Sequence, residues 1–260
     1  MLDLISFLTQ IPVREGIKIE VVAARSYLFP FVALLIGLPV AVVAFLAFGY
    51  LGAANEIAAL LTLLALYLVT GLIHLDGLAD FFDGLLAPGS KGDKIRAMRD
   101  DKTGIAGLFA TILLLLVSLF AVESIGAGLT ATTFTFNFIS LYDFASVFVI
   151  AEVSAKLGMN TCMVLGKGFD DNEGLGALFI QSFSPRKYMS TLLSAMLLAL
   201  LFTVFTTSVR VFLVFTGIVV ACLVSYVAIK KLGVISGDIM GASNELARCT
   251  TLLLWAILFT

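Results

Sequence analysis

From residue 28 onward the chain alternates long apolar runs with short polar stretches, and each run approaches the roughly 20 residues an α-helix needs to cross a bilayer. No barrel-length stretch alternates with period two, and a backbone in lipid must satisfy its own hydrogen bonds, so the runs predict helices. The expected fold is all-α: a polytopic integral membrane protein with about seven transmembrane helices over 28–48, 56–75, 104–122, 134–151, 188–207, 211–229 and 242–260. The last run is the weakest of these, because it holds Glu245 and Arg248. The first residues, MLDLISFLTQIPV, lack a basic leader segment and are broken by Pro12, which predicts an interfacial helix rather than a cleaved signal. Residues 1–260 read as a single membrane-embedded domain.

Composition agrees with the pattern, since 60% of the 260 residues are hydrophobic and only 13% are charged, leaving lipid as a medium for the apolar faces. A net charge of −2 with no long basic run gives no electrostatic footing for nucleic acid. Cys162, Cys222 and Cys249 are dispersed, in neither metal nor redox spacing, and are expected to be free thiols. Lys and Arg near span ends mark the cytoplasmic side. With a cytoplasmic N-terminus, 14 of the 16 basic residues fall on that side, Arg210 and Arg248 being the other two. The same orientation brings the segments at 74–84, 91–103, 152–173 and 233–245 to the cytoplasmic face. The expectation is a multi-pass protein of the cell membrane whose site faces cytoplasmic solutes, whereas a transporter places such groups near the bilayer midplane.

The stretch HLDGLADFFDG, His74 to Gly84, sets Asp76, Asp80 and Asp83 at i, i+4 and i+7. On a helix turning about 100° per residue these lie within about 60° of one another. Three like charges on one face repel unless a cation sits between them, and an all-oxygen donor set suits Mg²⁺ working beside substrate phosphates. The lone histidine, His74, is a candidate general base for an attacking hydroxyl, although on a continuous helix it lies roughly 160° from Asp76 and so serves only if the helix breaks near Gly77; a metal-bound carboxylate is an equal candidate.

Downstream, Pro88, Gly89, Ser90 and Gly92 form a turn, Asp93 is placed to cap a helix from Lys94, and Arg96, Arg99 and Asp100 share a face. Asp100 joins the candidate metal ligands and catalytic acids, and Arg96, Arg99 and Lys102 are candidate phosphate contacts. Near the C-terminus Gly233, Gly237 and Gly241 repeat at four-residue spacing, a pattern that lets helices approach closely in lipid. Close packing does not account for Asp238, Asn244 and Glu245 in the same turns, and these are candidate substrate contacts. Glu152, at the end of the fourth expected span, is another.

These motifs resemble the cobalamin synthase family, the adenosylcobinamide-GDP ribazoletransferases, over nearly the whole chain. FLTQIPV (7–13) is similar to the family's FLTRxPV, HLDGLADFFDG to HxDGLADxxDG, MRDDKTGIAG (98–107) to M-[KR]-D-S-x-x-G-x-x-G, and GDIMGASNE (237–245) to GDxxGAxxE. Gln10 stands where the pattern has Arg, Asp101 where it has Ser, and AEVSAKLGMN (151–160) matches loosely. The resemblance places Asp76, Asp80, Asp83, Asp100, Asp238 and Glu245 on motif positions. It implies Mg²⁺ and two small-molecule substrates, adenosylcobinamide-GDP and α-ribazole or its 5′-phosphate, joined with release of GMP. Membrane lipid, and a second copy of the chain as a homo-oligomer, are further candidate partners. The pattern of the CDP-alcohol phosphatidyltransferases is met at Asp80, Asp83, Gly84, Ala87 and Asp101 but broken at Pro88, Ala97 and Ile105. A cation transporter with an acidic site is the alternative from another class.

Overall fold

A computed structural model describes residues 1–13, 15–51, 54–131, 137–169, 174–205 and 208–260. The elements are α1 (Leu2–Leu8), α2 (Ile19–Ala24), α3 (Phe29–Phe45), α4 (Asn55–Thr70), α5 (Ile73–Leu86), α6 (Lys91–Met98), α7 (Ile105–Thr130), α8 (Phe138–Leu165), α9 (Gly174–Ser182), α10 (Pro185–Leu201), α11 (Thr216–Lys231) and α12 (Gly237–Phe259). Among the described residues the structure is helical, as the apolar runs predict. Arg14 and the beginning of the span expected at 134 lie outside the described residues.

Among the described residues four helical stretches are long and apolar enough to cross a membrane: Ser26–Tyr50, Ile105–Thr130, Phe138–Leu165 and Val209–Lys231. The bent pair α4 and α5 brings the number to five if it is counted as one span. Ile105, Phe109, Ile112, Leu116 and Phe120 of α7 all present their side chains outward, the apolar surface that lipid covers. Of the remaining expected spans, α10 has 17 residues, and α12 carries Asp238, Glu245 and Arg248 along its 23.

The expected continuous span over 56–75 is broken. Gly71 takes φ +70°, a backbone conformation that favours glycine, and α5 leaves α4 at 94°. A Cβ at Gly71 would lie 2.2 Å from Nε2 of Gln10, so the N-terminal motif packs directly on the bend. The fourth expected span also differs, because α8 runs unbroken past 151 to Leu165. Glu152 is therefore no solvated helix end, and Lys156 no cytoplasmic residue; both are buried in mid-helix. Lys156 leaves the count of basic residues that support the orientation.

Chain direction alternates so that one end of the bundle collects the motif segments. There Gly77 meets Asp238, Gly107 meets Ala79 and Asp83, and Gly176 meets Gly237. At the opposite end Gly126 packs on Phe48, Gly128 on Thr260, and the hydroxyl of Tyr142 donates to the carbonyl of Leu201.

Candidate active site

Helix α5 lies across the first turns of α7 and α12, and glycines set the distances. A Cβ on Gly77 would fall 2.9 Å from both Cα and O of Asp238; one on Gly107 would fall 2.5 Å from the Ala79 carbonyl oxygen. Only hydrogen fits at either point, which holds the aspartate helix against Asp238 on one side and the start of α7 on the other. The glycine of GLAD and the second glycine of the MRDDKTGIAG stretch thus act by close approach.

The three aspartates of α5 do different things. Asp83 turns to α7, where Gly104 N–H donates to Oδ2 at 2.7 Å and Gly107 N–H to Oδ1 at 2.8 Å. It satisfies two of the amide groups that a helix start leaves unpaired and places a negative charge at the positive end of the helix dipole. Asp76 is exposed and Asp80 half-buried. Burial and the charges of Asp76, Asp238 and Asp83 push the Asp80 carboxyl up to about 6. Asp100 does not join this group; it is exposed and accepts the Lys102 backbone N–H at 3.0 Å.

Among the described residues no three His, Cys, Asp or Glu side chains close on one point as a ready-made metal cage. Mg²⁺ does not require one, since it is ordinarily held by one or two carboxylates with phosphate oxygens and water completing the shell. Asp76 and Asp80, with Asp238 facing them, fit such an ion: all donors are oxygen, and the charges crowd each other.

Around α6 the start differs from the expected cap. Ser90, not Asp93, is the N-cap, and the helix begins at Lys91 with Asp93 in the reciprocal capping box. Hydrogen bonds from the Ser90 hydroxyl and backbone, together with Arg96, hold the Asp93 carboxyl below its ordinary value. Arg96 is paired with Asp93, Lys94 donates to the Leu85 carbonyl at 2.8 Å, and Lys102 is exposed. Arg99 alone of the candidate phosphate contacts lines the cavity described next, where its charge acts on Asp238.

Beside the start of α5 is a cavity of about 460 Å³, lined by residues that include Phe7, His74, Arg99, Met159, Met163, Phe179, Asp238 and Met240. His74 is buried, and its Nδ1 has no hydrogen-bond partner among the described residues. Burial, and then the positive charges of Lys156 and Arg248, hold its pKa well below the ordinary value, so the ring is a neutral imidazole. The break at Gly71 precedes His74, which leaves it on the same helix as Asp76 and on a different face.

Glu152, Asn244 and Glu245 sit deeper, in a buried network joining α4, α8 and α12. Arg248 spans both carboxylates, through Nε and Nη2 to Glu152 and through Nη1 to Glu245. Lys156 Nζ donates to Asn244 Oδ1 at 2.7 Å and lies 3.9 Å from Glu152, Asn244 Nδ2 donates to Glu245 at 3.0 Å, and Tyr67 OH donates to Glu245 at 3.1 Å. Two acids and two bases cancel, the condition for keeping charges in a low-dielectric interior. Here these residues touch one another and fix how α12 meets α8. Expected as substrate contacts, Glu152, Asn244 and Glu245 instead pair with Arg248 and Lys156. Sequence reasoning did not assign the cavity's Phe7, Met159, Met163 and Phe179; Phe7 falls in FLTQIPV and Met159 in AEVSAKLGMN, whereas Met163 and Phe179 carry no signal that separates them from core.

Comparison with known proteins adds the following. Residues 1–256 match the family described as Cobalamin-5-phosphate synthase. The adenosylcobinamide-GDP ribazoletransferase of Methanococcoides burtonii is 32% identical over 256 residues, covering 98% of this chain and 90% of that protein. That of Thermococcus onnurineus is 31% identical, covering 98% and 97%, and that of Pyrococcus abyssi 33% identical, covering 98% and 96%. No solved structure matches the chain.

Proposed function

The chain belongs to the cobalamin-5-phosphate synthase family, and on that premise we propose that it transfers the adenosylcobinamide-phosphate group of adenosylcobinamide-GDP to a ribose hydroxyl, other than the 5′ position, of α-ribazole or its 5′-phosphate. GMP leaves, and adenosylcobalamin or its 5′-phosphate forms. The single observation that carries the reading is the convergence of motif residues from α5, α7 and α12 on one end of the bundle, with Asp76, Asp80 and Asp238 beside a cavity that His74 and Arg99 line.

Asp76 and Asp80, with Asp238 nearby, are the residues that would hold Mg²⁺, and the ion would offset charge on the pyrophosphate and on the departing GMP. The chain's own groups do the rest. Asp83 fixes the start of α7 against α5 and so holds the aspartate helix in place. Arg99 neutralises phosphate oxygens at the cavity mouth, as a guanidinium is suited to do. A carboxylate of the aspartate helix accepts the proton of the attacking ribose hydroxyl as its oxygen bonds to the cobinamide-side phosphorus and the bond to the GMP oxygen breaks. The buried ion network keeps α12, and Asp238 with it, at a constant height on α8.

Seven crossings complete the reading: α3, α7, α8 and α11, joined by α4, α10 and α12, with α5 lying across the bundle end. The N-terminus and the site are cytoplasmic. The basic residues at 18, 25, 91–102, 186–187 and 230–231 support this orientation. The test is GMP release by the purified protein in liposomes with donor, acceptor and Mg²⁺. Release that requires the acceptor supports the transfer, and folded protein that releases none refutes it.

A further inference from the structure

The cavity beside α5 has a divided lining. Its walls are Met159, Met163 and Met240, with Phe7 and Phe179, whose ring centroids lie 5.4 Å apart; backbone at Gly176 and Gly241 completes them. The three methionines and Phe179 are each at most 5% exposed, so this lining is built into the core and does not belong to the lipid-facing surface. Phe179 is held in turn by Phe29, with ring centroids 6.1 Å apart. Polar groups occur at one end only, where His74, Arg99, Ser236 and Asp238 adjoin the aspartate helix.

Resting on the transferase reading, we infer that this cavity is the seat of the acceptor nucleoside: the aromatic base lies among Met159, Met163, Phe7 and Phe179, and the ribose hydroxyls face His74 and Asp238. Three arguments select this occupant. At about 460 Å³ the space is at the lower end of ligand sites, which span roughly 300–1,000 Å³; it suits a flat bicycle with one pentose and is too small for a corrin ring with its amide side chains. Thioether and phenyl groups interact well with an apolar π-face and offer nothing to the hydrogen-bonding edge of guanine. The polar end lies where the acceptor hydroxyl has to be, because Asp238 there is coupled by charge to Asp76 and Asp80 and Arg99 stands at the cavity mouth to meet the donor's phosphate. Met159, Met163 and Phe179 are thus residues that set which base the enzyme accepts.

The experiment is equilibrium binding of α-ribazole to full-length protein in detergent, alongside steady-state kinetics with both substrates varied. Met163→Trp fills the apolar part, and Phe7→Ala removes one wall from the short helix α1 without opening the bundle. Loss of an aromatic contact in Phe7→Ala predicts an acceptor Kd and KM about tenfold to a hundredfold higher, and the filled space in Met163→Trp raises both as well, with an unchanged KM for adenosylcobinamide-GDP in each variant. Folding is checked by gel filtration, and Phe7→Ala decides the matter if Met163→Trp does not fold. A raised donor KM with normal acceptor binding overturns the inference while leaving the transferase intact. Wild-type protein that binds α-ribazole but releases no GMP, with binding lost in the variants, retains the inference and removes the transferase reading. Wild type that turns over normally and variants that bind α-ribazole equally well overturn the inference.

Discussion

Asp80 and Asp83 sit one helical turn apart in the same motif, yet replacing each with Asn is expected to move stability in opposite directions. Asp83 accepts backbone N–H groups from Gly104 and Gly107 at 2.7 and 2.8 Å. Asn keeps one acceptor oxygen and turns an amide donor toward the second N–H, so one charge-assisted hydrogen bond is lost and a donor is orphaned. That costs about 2–3 kcal/mol, which in a chain of this size lowers the unfolding midpoint by roughly 5–10 °C. Asp80 is the reverse case. Its folded-state pKa of about 6 exceeds its ordinary value of 3.8, so the cost of burying its charge beside Asp76, Asp238 and Asp83 is absent below 3.8, builds up between 3.8 and about 6, and is full above that. The displacement corresponds to about 3 kcal/mol, which solvent screening of a half-exposed carboxylate reduces to about 1 kcal/mol. Asp80→Asn therefore raises the midpoint by roughly 2–4 °C at pH 8 without Mg²⁺, and the gain vanishes at pH 4. Both variants lose GMP release. The assay is thermal unfolding in detergent at one scan rate, with a chelator present, beside the kinetic assay. Equal midpoints for the two variants, or a fall for Asp80→Asn, would refute this division of roles.

Gly107→Ala forces a Cβ to within 2.5 Å of the Ala79 carbonyl oxygen; it is expected to destabilise by about 1–3 kcal/mol and to abolish turnover, read by the same two assays. Lys156→Met removes the partner of Asn244 and leaves two carboxylates to one guanidinium, at a cost of about 3–5 kcal/mol, and adding Glu152→Gln restores much of the lost midpoint. Chelator is expected to stop GMP release and Mg²⁺ to restore it, whereas Asp76→Asn raises the Mg²⁺ concentration needed for half-maximal rate; an unchanged Mg²⁺ requirement in that variant would remove Asp76 from the ion.

Much of this architecture is written in the apolar runs, because in lipid a run of sufficient length has little choice but to form a helix. What the runs conceal is where helices bend and end. The turn at Gly71 lies inside an apolar stretch, and its cause is a contact with Gln10 some sixty residues away in the sequence. Glu152 and Lys156 looked like a helix end because charge ordinarily marks one; their partners, Glu245, Asn244 and Arg248, come from the far end of the chain, and only the three-dimensional arrangement cancels the charge. Helical periodicity brought the three aspartates to one face, but it did not reveal that Asp83 serves the backbone of α7. The methionines of the cavity were indistinguishable from core, since buried apolar side chains line a pocket and fill a bundle in the same way.

The most direct test of the central claim uses α-ribazole labelled with ¹⁸O at its ribose hydroxyls, given to the protein with adenosylcobinamide-GDP and Mg²⁺ and followed by mass spectrometry of all products. Attack by a ribose hydroxyl at the cobinamide-side phosphorus predicts the label wholly in the completed corrinoid and GMP without label. Label joined to guanosine, or a folded protein that forms no corrinoid product, would contradict it.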